Sequence, residues 1–219
     1  MVGATSEEGR VVTNGMSQHS RNERNANSGL VVALDADDLA PFERFPGDPL
    51  AGIALQRELE ERAFRLGGHS YAAPAQRLED FLAARPSTRL GAIAASYQPG
   101  VHPADLAELL PTPITAALRE ALPAFARKLK GYDHPDAVLT GVETRTSSPV
   151  RVPRDEALES LNVQGLVPAG EGAGYAGGIL SAGIDGIRAA EALARQLLAS
   201  DSNATAVSYT HLTLPTNRE

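Results

Sequence analysis

The stretch that decides the predicted fold reads GLVPAGEGAGYAGGI and runs from Gly165 to Ile179. It begins with the apolar segment Leu166–Ala169, which predicts a short buried strand. Five glycines follow this segment: Gly170, Gly172, Gly174, Gly177 and Gly178. A helix is predicted over Ala176–Leu198, because Leu180, Ile184, Ile187, Leu193 and Leu197 recur at helical spacing and form an inward apolar stripe.

The chemistry of this turn indicates a ligand that carries both hydroxyls and negative charge. Glycine lacks a Cβ, so the backbone approaches a ligand closely. The first N–H groups of a helix are unpaired and favour an anion. The Glu171 carboxylate accepts hydrogen bonds from sugar-like hydroxyls. The alternative is a glycine-rich turn without a ligand, which the number of glycines disfavours because each one costs stability.

The order of strand, acidic residue, glycine-rich turn and helix resembles the second FAD-contacting motif of flavoproteins with two dinucleotide-binding domains. The resemblance implies that FAD is the cofactor and that Glu171 holds its ribityl chain. It also implies a set of residues that line the cofactor: Gly170, Gly172, Ala173, Gly174, Gly177, Gly178 and Ile179.

Segments elsewhere in the chain resemble a bacterial family of FAD-dependent dehydrogenases whose substrates are mostly unassigned. They are Ser6–Gly9, Val12–Ser17, Arg21, Asn25–Ser28, Gln56–Glu60, Ala73–Gln76 and Glu143–Arg151. The resemblance implies an oxidoreductase that passes hydride or electrons through a bound flavin. Its partners would be a small-molecule substrate and an electron acceptor or donor that the sequence does not identify.

The first dinucleotide fingerprint of such proteins, Gly-x-Gly-x-x-Gly after the first strand, is missing from the sequence. We therefore expect a C-terminal fragment in which Met1 is an internal methionine or an alternative start. We also expect the 219-residue chain to bind FAD poorly or not at all on its own. The segment Val207–Thr216 resembles a translated sequencing adapter, so residues 206–219 are expected to be a non-native tail.

Two further groups of polar residues are candidates for facing the substrate or the flavin. Asn14, Arg21 and Asn27 lie in a long polar loop, and long loops in compact domains often bind a ligand. The alternative is a solvated loop whose Asn side chains satisfy its own turns. Ser147 and Ser148 precede a predicted strand and form either a turn beside the flavin or a plain turn.

Composition excludes several classes of function. The chain has no cysteine, which excludes disulfides and thiolate metal sites. A net charge of −7 and only 5% aromatic residues argue against a nucleic-acid partner. The five histidines show no metal-ligand spacing, and no apolar run is long enough to cross a bilayer. We expect a cytoplasmic protein without a metal or a transmembrane segment.

The remaining patterns complete an α/β prediction. Strands are predicted at Arg10–Thr13, Leu30–Leu34, Ala137–Thr144 and Val150–Val152, and helices at Pro49–Leu66, Pro74–Ala84 and Pro113–Lys130. The predicted fold is the C-terminal part of a Rossmann-type FAD-binding flavoprotein with a mixed α+β cap or substrate region. Residues 1–136 would form that region and 137–205 the end of the FAD domain. The alternative function is a non-catalytic nucleotide-binding module that uses the same glycine-rich helix start.

Overall fold

The structure is a computed structural model that describes residues 2–3, 6–16, 19–20 and 22–201. Arg21 and the predicted tail, residues 206–219, lie outside the described residues. The chain divides into two compact units, Met1–Val150 (unit 1) and Arg151–Glu219 (unit 2).

Unit 1 contains short strands and longer helices. Its elements in chain order are β1 (Val2–Gly3), β2 (Thr13–Asn14), α1 (Ala36–Leu39), a 3-10 turn (Ala40–Phe42), α2 (Ala51–Leu66), β3 (Ala73–Arg77), α3 (Leu78–Leu82), β4 (Val101–Pro103), α4 (Thr112–Ala126) and β5 (Val138–Thr140). β1 and β2 form an antiparallel pair. The other three strands form a sheet of order β4-β3-β5, parallel on one side of β3 and antiparallel on the other. The fold is therefore α+β with a small mixed sheet.

The core of unit 1 forms around α2. The helix buries Leu55, Leu59 and Ala63, three apolar positions that recur at helical spacing. They join a cluster of buried side chains that also contains Val11, Ala73, Leu78, Phe81, Tyr97, Leu106, Leu109, Leu122 and Val142. The helix prediction for Pro49–Leu66 is confirmed, because apolar spacing and burial agree over its length.

The prediction of a helix over Pro74–Ala84 is wrong in its first half. Residues Ala73–Arg77 form the central strand, and only Leu78–Leu82 are helical. Both edges of the strand are paired: Ala73 N–H donates to the Gly100 carbonyl at 3.0 Å, and Gly141 N–H donates to the Pro74 carbonyl at 2.9 Å. Tertiary pairing overrides local propensity here, and Pro74 fits because it acts as an acceptor.

Four predicted strands are shorter than expected or are not formed by the described residues. Leu30–Leu34 is not a strand. Its first three residues, Leu30–Val32, instead line an apolar cavity together with residues of α4. Val150–Val152 has no strand partner, and the Val152 N–H is bonded to the Ala173 carbonyl instead. Ala137–Thr144 is a strand only at Val138–Thr140, and Arg10–Thr13 only at Thr13.

The helix predicted over Pro113–Lys130 is α4, which begins one residue earlier and ends four residues sooner. Pro123 lies inside it without dividing it. Within a helix proline cannot donate to the carbonyl four residues before it. The helix continues for three residues after Pro123 and ends at Ala126.

Unit 2 contains the helix α5 (Ile179–Asp201), in agreement with the predicted Ala176–Leu198 helix. The predicted strand Leu166–Ala169 is wrong, since no described strand lies beside it and its backbone is bonded to turns and side chains. A Rossmann sheet is not present among the described residues of this unit, which hold one isolated bridge, Arg154 to Ser160.

The inward stripe predicted for α5 is also wrong for this structure. Leu180 is 82% exposed and Ile187 is 62% exposed, and the other members, Ile184, Leu193 and Leu197, are exposed as well. The buried residues of the helix are Asp185 and Ala189. The helix thus contacts unit 2 through a different face, because the described residues supply no sheet for the apolar stripe to cover.

Gly67→Ala is expected to destabilise unit 1 by about 1–3 kcal/mol, as overpacking typically does. Gly67 ends α2, and a Cβ there would lie 2.0 Å from the Ala72 carbonyl oxygen. Gly29→Ala is the matched control, because a Cβ at Gly29 meets no described atom within 4 Å. Urea unfolding followed by circular dichroism measures both variants. Equal midpoints for the two would contradict the close approach at Gly67.

Candidate functional site

The glycine-rich segment Gly170–Gly178 forms a compact loop before α5. Gly174 N–H donates to the Glu171 carbonyl at 2.9 Å, and Tyr175 N–H donates to the Gly170 carbonyl at 3.0 Å. Gly170 and Gly174 have φ values of +69° and +82°, in the left-handed region that favours glycine. Two of the five glycines are therefore required by the turn itself.

A buried ion pair ties this loop to the helix that follows it. Asp185 of α5 accepts from both Nη atoms of Arg154, at 3.0 and 2.6 Å. The same carboxylate accepts the Gly170 N–H at 2.8 Å. Arg154 Nη1 also donates to the Pro168 carbonyl at 2.7 Å. The pair thus holds the backbone on both sides of Ala169, where the predicted strand would have run.

Tyr175 completes the anchoring of the loop. Its hydroxyl donates to the Val152 carbonyl and accepts the Arg154 N–H, each at 3.1 Å. The guanidinium of Arg154 lies 3.7 Å from the centre of the Tyr175 ring, and that of Arg151 lies 4.4 Å from it. Cations over an aromatic face are attracted by its quadrupole, so the ring is held between two arginine contacts.

The electrostatics of the pair keep Asp185 ionised. Hydrogen bonds from Arg154 and then from the Gly170 N–H lower the pKa of Asp185 to about 2, against an opposing effect of burial. The same interaction raises the pKa of Arg154 above its ordinary value. The carboxylate is therefore a permanent acceptor for the loop at neutral pH.

The predicted cofactor-lining residues differ in how they are used. Gly170 and Ala173 are buried, and the Ala173 carbonyl accepts the Val152 N–H at 3.1 Å. A Cβ at Gly172 or Gly177 would meet no described atom within 4 Å, so space is open beside both. A Cβ at Gly178 would lie 3.7 Å from Ser181 Oγ, and Ile179 is 92% exposed.

Glu171 differs from the other acidic groups near the loop. Its carbonyl accepts within the turn, whereas its half-buried side chain forms no hydrogen bond or ion pair with any described residue. By contrast, the carboxylates of Glu159 and Asp185 are both engaged by backbone N–H groups. Glu171 is thus available to accept hydrogen bonds from a ligand.

Unit 1 brings two of its predicted site residues together. Asn14 Oδ1 accepts the Met16 N–H at 3.0 Å, and Asn27 Nδ2 donates to the Gly15 carbonyl at 2.7 Å. Glu143 reaches the same turn, where its carboxylate accepts the Gly15 N–H at 3.3 Å. These bonds satisfy the loop's own backbone, as expected for an Asx-rich turn.

The segment that precedes Ser147 is fixed to α2. Arg145 donates to both carboxylate oxygens of the buried Glu60, at 3.0 and 2.9 Å, and Thr144 Oγ1 donates to Glu60 at 2.8 Å. Ser148 Oγ donates to the Val150 carbonyl at 2.8 Å, which makes this a local turn, and Ser147 is exposed. Among the described residues, neither serine is hydrogen-bonded to Asn14.

The sequence analysis gave no role to Arg154 and Asp185, which organise the glycine-rich loop. One signal was present for Asp185: it is the only charged residue in α5 before Arg188. A lone charge among small and apolar helix residues often has a buried partner, because an unpaired buried charge is costly. Nothing in the spacing identified Arg154 as that partner.

The residues that the structure describes hold no group of three His, Asp or Glu side chains arranged to bind a metal ion. Among them, no helix combines the length and the apolar character needed to span a membrane.

Comparison with known proteins gives two matches. A sequence model of a family described as "FAD-dependent protein, C-terminal domain-like" matches residues 1–146, which include nearly all of unit 1. An uncharacterized protein of Clostridium beijerinckii is 52% identical over 192 residues, or 87% of this chain and 35% of that protein. Because the aligned stretch covers 87% of the chain, it must include the glycine-rich loop. The chain spans about a third of the length of this relative.

Asp185→Asn is expected to lower the free energy of unfolding at neutral pH, and the difference from wild type should shrink as the pH falls. Because the folded pKa of about 2 lies below the ordinary value, the charged pair stabilises the protein above about pH 4 and loses this effect towards pH 2. Urea unfolding at several pH values measures the difference. Glu191→Gln, which removes an exposed pair with Arg195, is the control. A wild-type advantage that is constant with pH would contradict the prediction.

Proposed function

Because the chain belongs to the FAD-dependent protein, C-terminal domain-like family, we propose that it forms part of the FAD-binding region of a flavin-dependent oxidoreductase. The family match is the observation that carries the proposal. The glycine-rich loop in unit 2 supports it independently, since that loop lies outside the matched residues. In this proposal unit 2 supplies the end of a Rossmann-type FAD domain, and the N-terminal region supplies the cap or substrate side.

The residues of the loop fit the chemistry of FAD. A ribityl chain presents several hydroxyls, and the free carboxylate of Glu171 is a strong acceptor for them. The open space at Gly172 and Gly177 admits a ligand next to the backbone, while Gly174, Gly178 and Ile179 lead into the start of α5. Gly170 and Ala173 are buried, so they would shape the loop more than contact the cofactor.

The flavin supplies the redox chemistry when it is bound, and the protein binds it, orients it and sets its electrostatic environment. We propose a dehydrogenase-type reaction in which hydride or electrons pass between a small-molecule substrate and a separate acceptor or donor. Asn14, Asn27, Ser147 and Ser148 remain candidates for the substrate or flavin side. The exposed Asn27 and Ser147 are the better placed of these.

The second candidate function is a non-catalytic nucleotide-binding module. It is favoured by the glycine-rich helix start alone, which would suit any phosphate. Glu171 discriminates between the two, because a carboxylate beside a bare phosphate is repelled by it, whereas a carboxylate beside a polyol is not.

Glu171→Ala is expected to raise the dissociation constant for FAD about tenfold or more, the typical effect of losing a charge-assisted hydrogen bond. FMN, which shares the ribityl chain, should lose affinity in parallel. The affinity for ADP, which lacks that chain, should not change. Equilibrium dialysis at high protein concentration measures all three ligands even where binding is weak. Glu191→Ala, on the exposed side of α5, is the matched control.

Unchanged or tighter binding of both FAD and ADP in Glu171→Ala would favour the nucleotide-binding module, because removing the carboxylate relieves its repulsion of a phosphate. Unchanged FAD and FMN affinity in Glu171→Ala would contradict the proposal that this carboxylate holds the cofactor.

Gly177→Val is expected to abolish FAD binding while leaving the fold intact. Its Cβ meets no described atom within 4 Å, so the added side chain occupies only the space proposed for the cofactor. Ala190→Val is the control, since Ala190 is an exposed residue several turns further along α5. FAD binding is measured by flavin fluorescence, and folding by circular dichroism. Normal FAD affinity in Gly177→Val would show that this glycine does not face the cofactor.

A further inference from the structure

We propose that Arg154 and Asp185 are positioning residues for the glycine-rich loop, and that their ion pair sets the conformation in which the loop presents Glu171 to a ligand. The inference rests on the proposed function for the identity of that ligand. Neither residue is assigned to contact the cofactor, so their effect on binding is indirect.

The glycine-rich loop has no regular secondary structure to hold it. Leu166–Ala169 is not part of a sheet, and the loop reaches α5 through turns. Gly170 and Gly174 have left-handed backbones, which glycine adopts easily but also leaves easily. Contacts from outside the loop are therefore needed to select one conformation.

The ion pair makes those contacts with the backbone on either side of Ala169. Asp185 accepts the Gly170 N–H at 2.8 Å, and Arg154 donates to the Pro168 carbonyl at 2.7 Å. Glu171 is the next residue along the chain. A change in either bond would move the Glu171 backbone directly.

The ion pair also links the segments before and after the loop. Arg154 lies fourteen residues before Pro168 in the sequence, and Asp185 lies fifteen residues after Gly170. The two side chains are largely buried, with 9% and 12% of their surfaces exposed. A buried charge pair with further hydrogen bonds has one favoured geometry, which suits it to fix a loop.

The competing explanation is that the pair only attaches α5 to the rest of unit 2. In that case the apparent affinity of a variant for a ligand would fall only in proportion to the loss of folded protein. A positioning role predicts weaker binding under conditions where the variant is fully folded. It also predicts faster amide exchange confined to the loop.

The experiment compares Asp185→Asn and Arg154→Lys with the wild-type chain, and uses Arg195→Gln as the control that removes an exposed ion pair of α5. Hydrogen exchange followed by mass spectrometry is measured without ligand, on peptides that include Pro168–Tyr175 and on peptides from the second half of α5. The dissociation constant for FAD is then measured well below the melting temperature of each variant.

We expect loop peptides in Asp185→Asn to exchange about tenfold faster or more, the usual size of losing a hydrogen bond to a charged group, while the second half of α5 is unchanged. The FAD dissociation constant should rise about tenfold in the same variant. Arg154→Lys keeps the charge but cannot make the same paired contacts, so it should lie between Asp185→Asn and wild type.

Unchanged loop exchange in either folded variant would overturn the inference, as would acceleration spread equally over α5. If the parent chain fails to bind FAD, the exchange measurement alone decides the positioning role. If FAD binds to the parent chain and binds equally to both folded variants, the positioning role fails and the proposed function stands.

Discussion

In each unit, a carboxylate on a helix accepts hydrogen bonds from an arginine that is distant in sequence. Asp185 of α5 holds Arg154 and the Gly170 N–H, and Glu60 of α2 holds Arg145 and Thr144. The segments fixed in this way, around Gly170 and Thr144, are not in sheets. Their backbone groups still need partners, because an unsatisfied buried polar group is costly. Charged side chains therefore supply the hydrogen-bond partners that a neighbouring strand would supply in a sheet.

The helices were predictable because their apolar spacing is local information. Leu55, Leu59 and Ala63 recur on one face of α2 and are buried together, and Gly67 caps the end of that helix. The existence of α5 followed from the same periodicity. The prediction that its apolar stripe is buried was wrong, because periodicity identifies an apolar face without identifying what covers it. The exposed Leu180 and Ile187 illustrate the difference, since the contact with unit 2 is made by Asp185 and Ala189 instead.

The strands were less predictable because their partners come from far along the chain. Pro74 reads as the first residue of a helix, yet it lies in the central strand. What decides this is its pairing with Gly141 and its position beside His102, neither of which local sequence reveals. The same limit applies to the site. The glycine-rich loop and Glu171 were predicted as site residues from residue type and order. Arg154 could not be predicted, because only the fold brings it to Asp185.

The two arguments for a flavin come from different parts of the chain. The family match covers residues 1–146, and the glycine-rich loop with its free carboxylate at Glu171 lies in unit 2. Neither observation was used to obtain the other, so their agreement carries more weight than either alone. The loop adds a chemical distinction that the family description does not make. A site built only for phosphate would have no use for a carboxylate, whereas a site for a polyol-linked ring would need an acceptor of this kind.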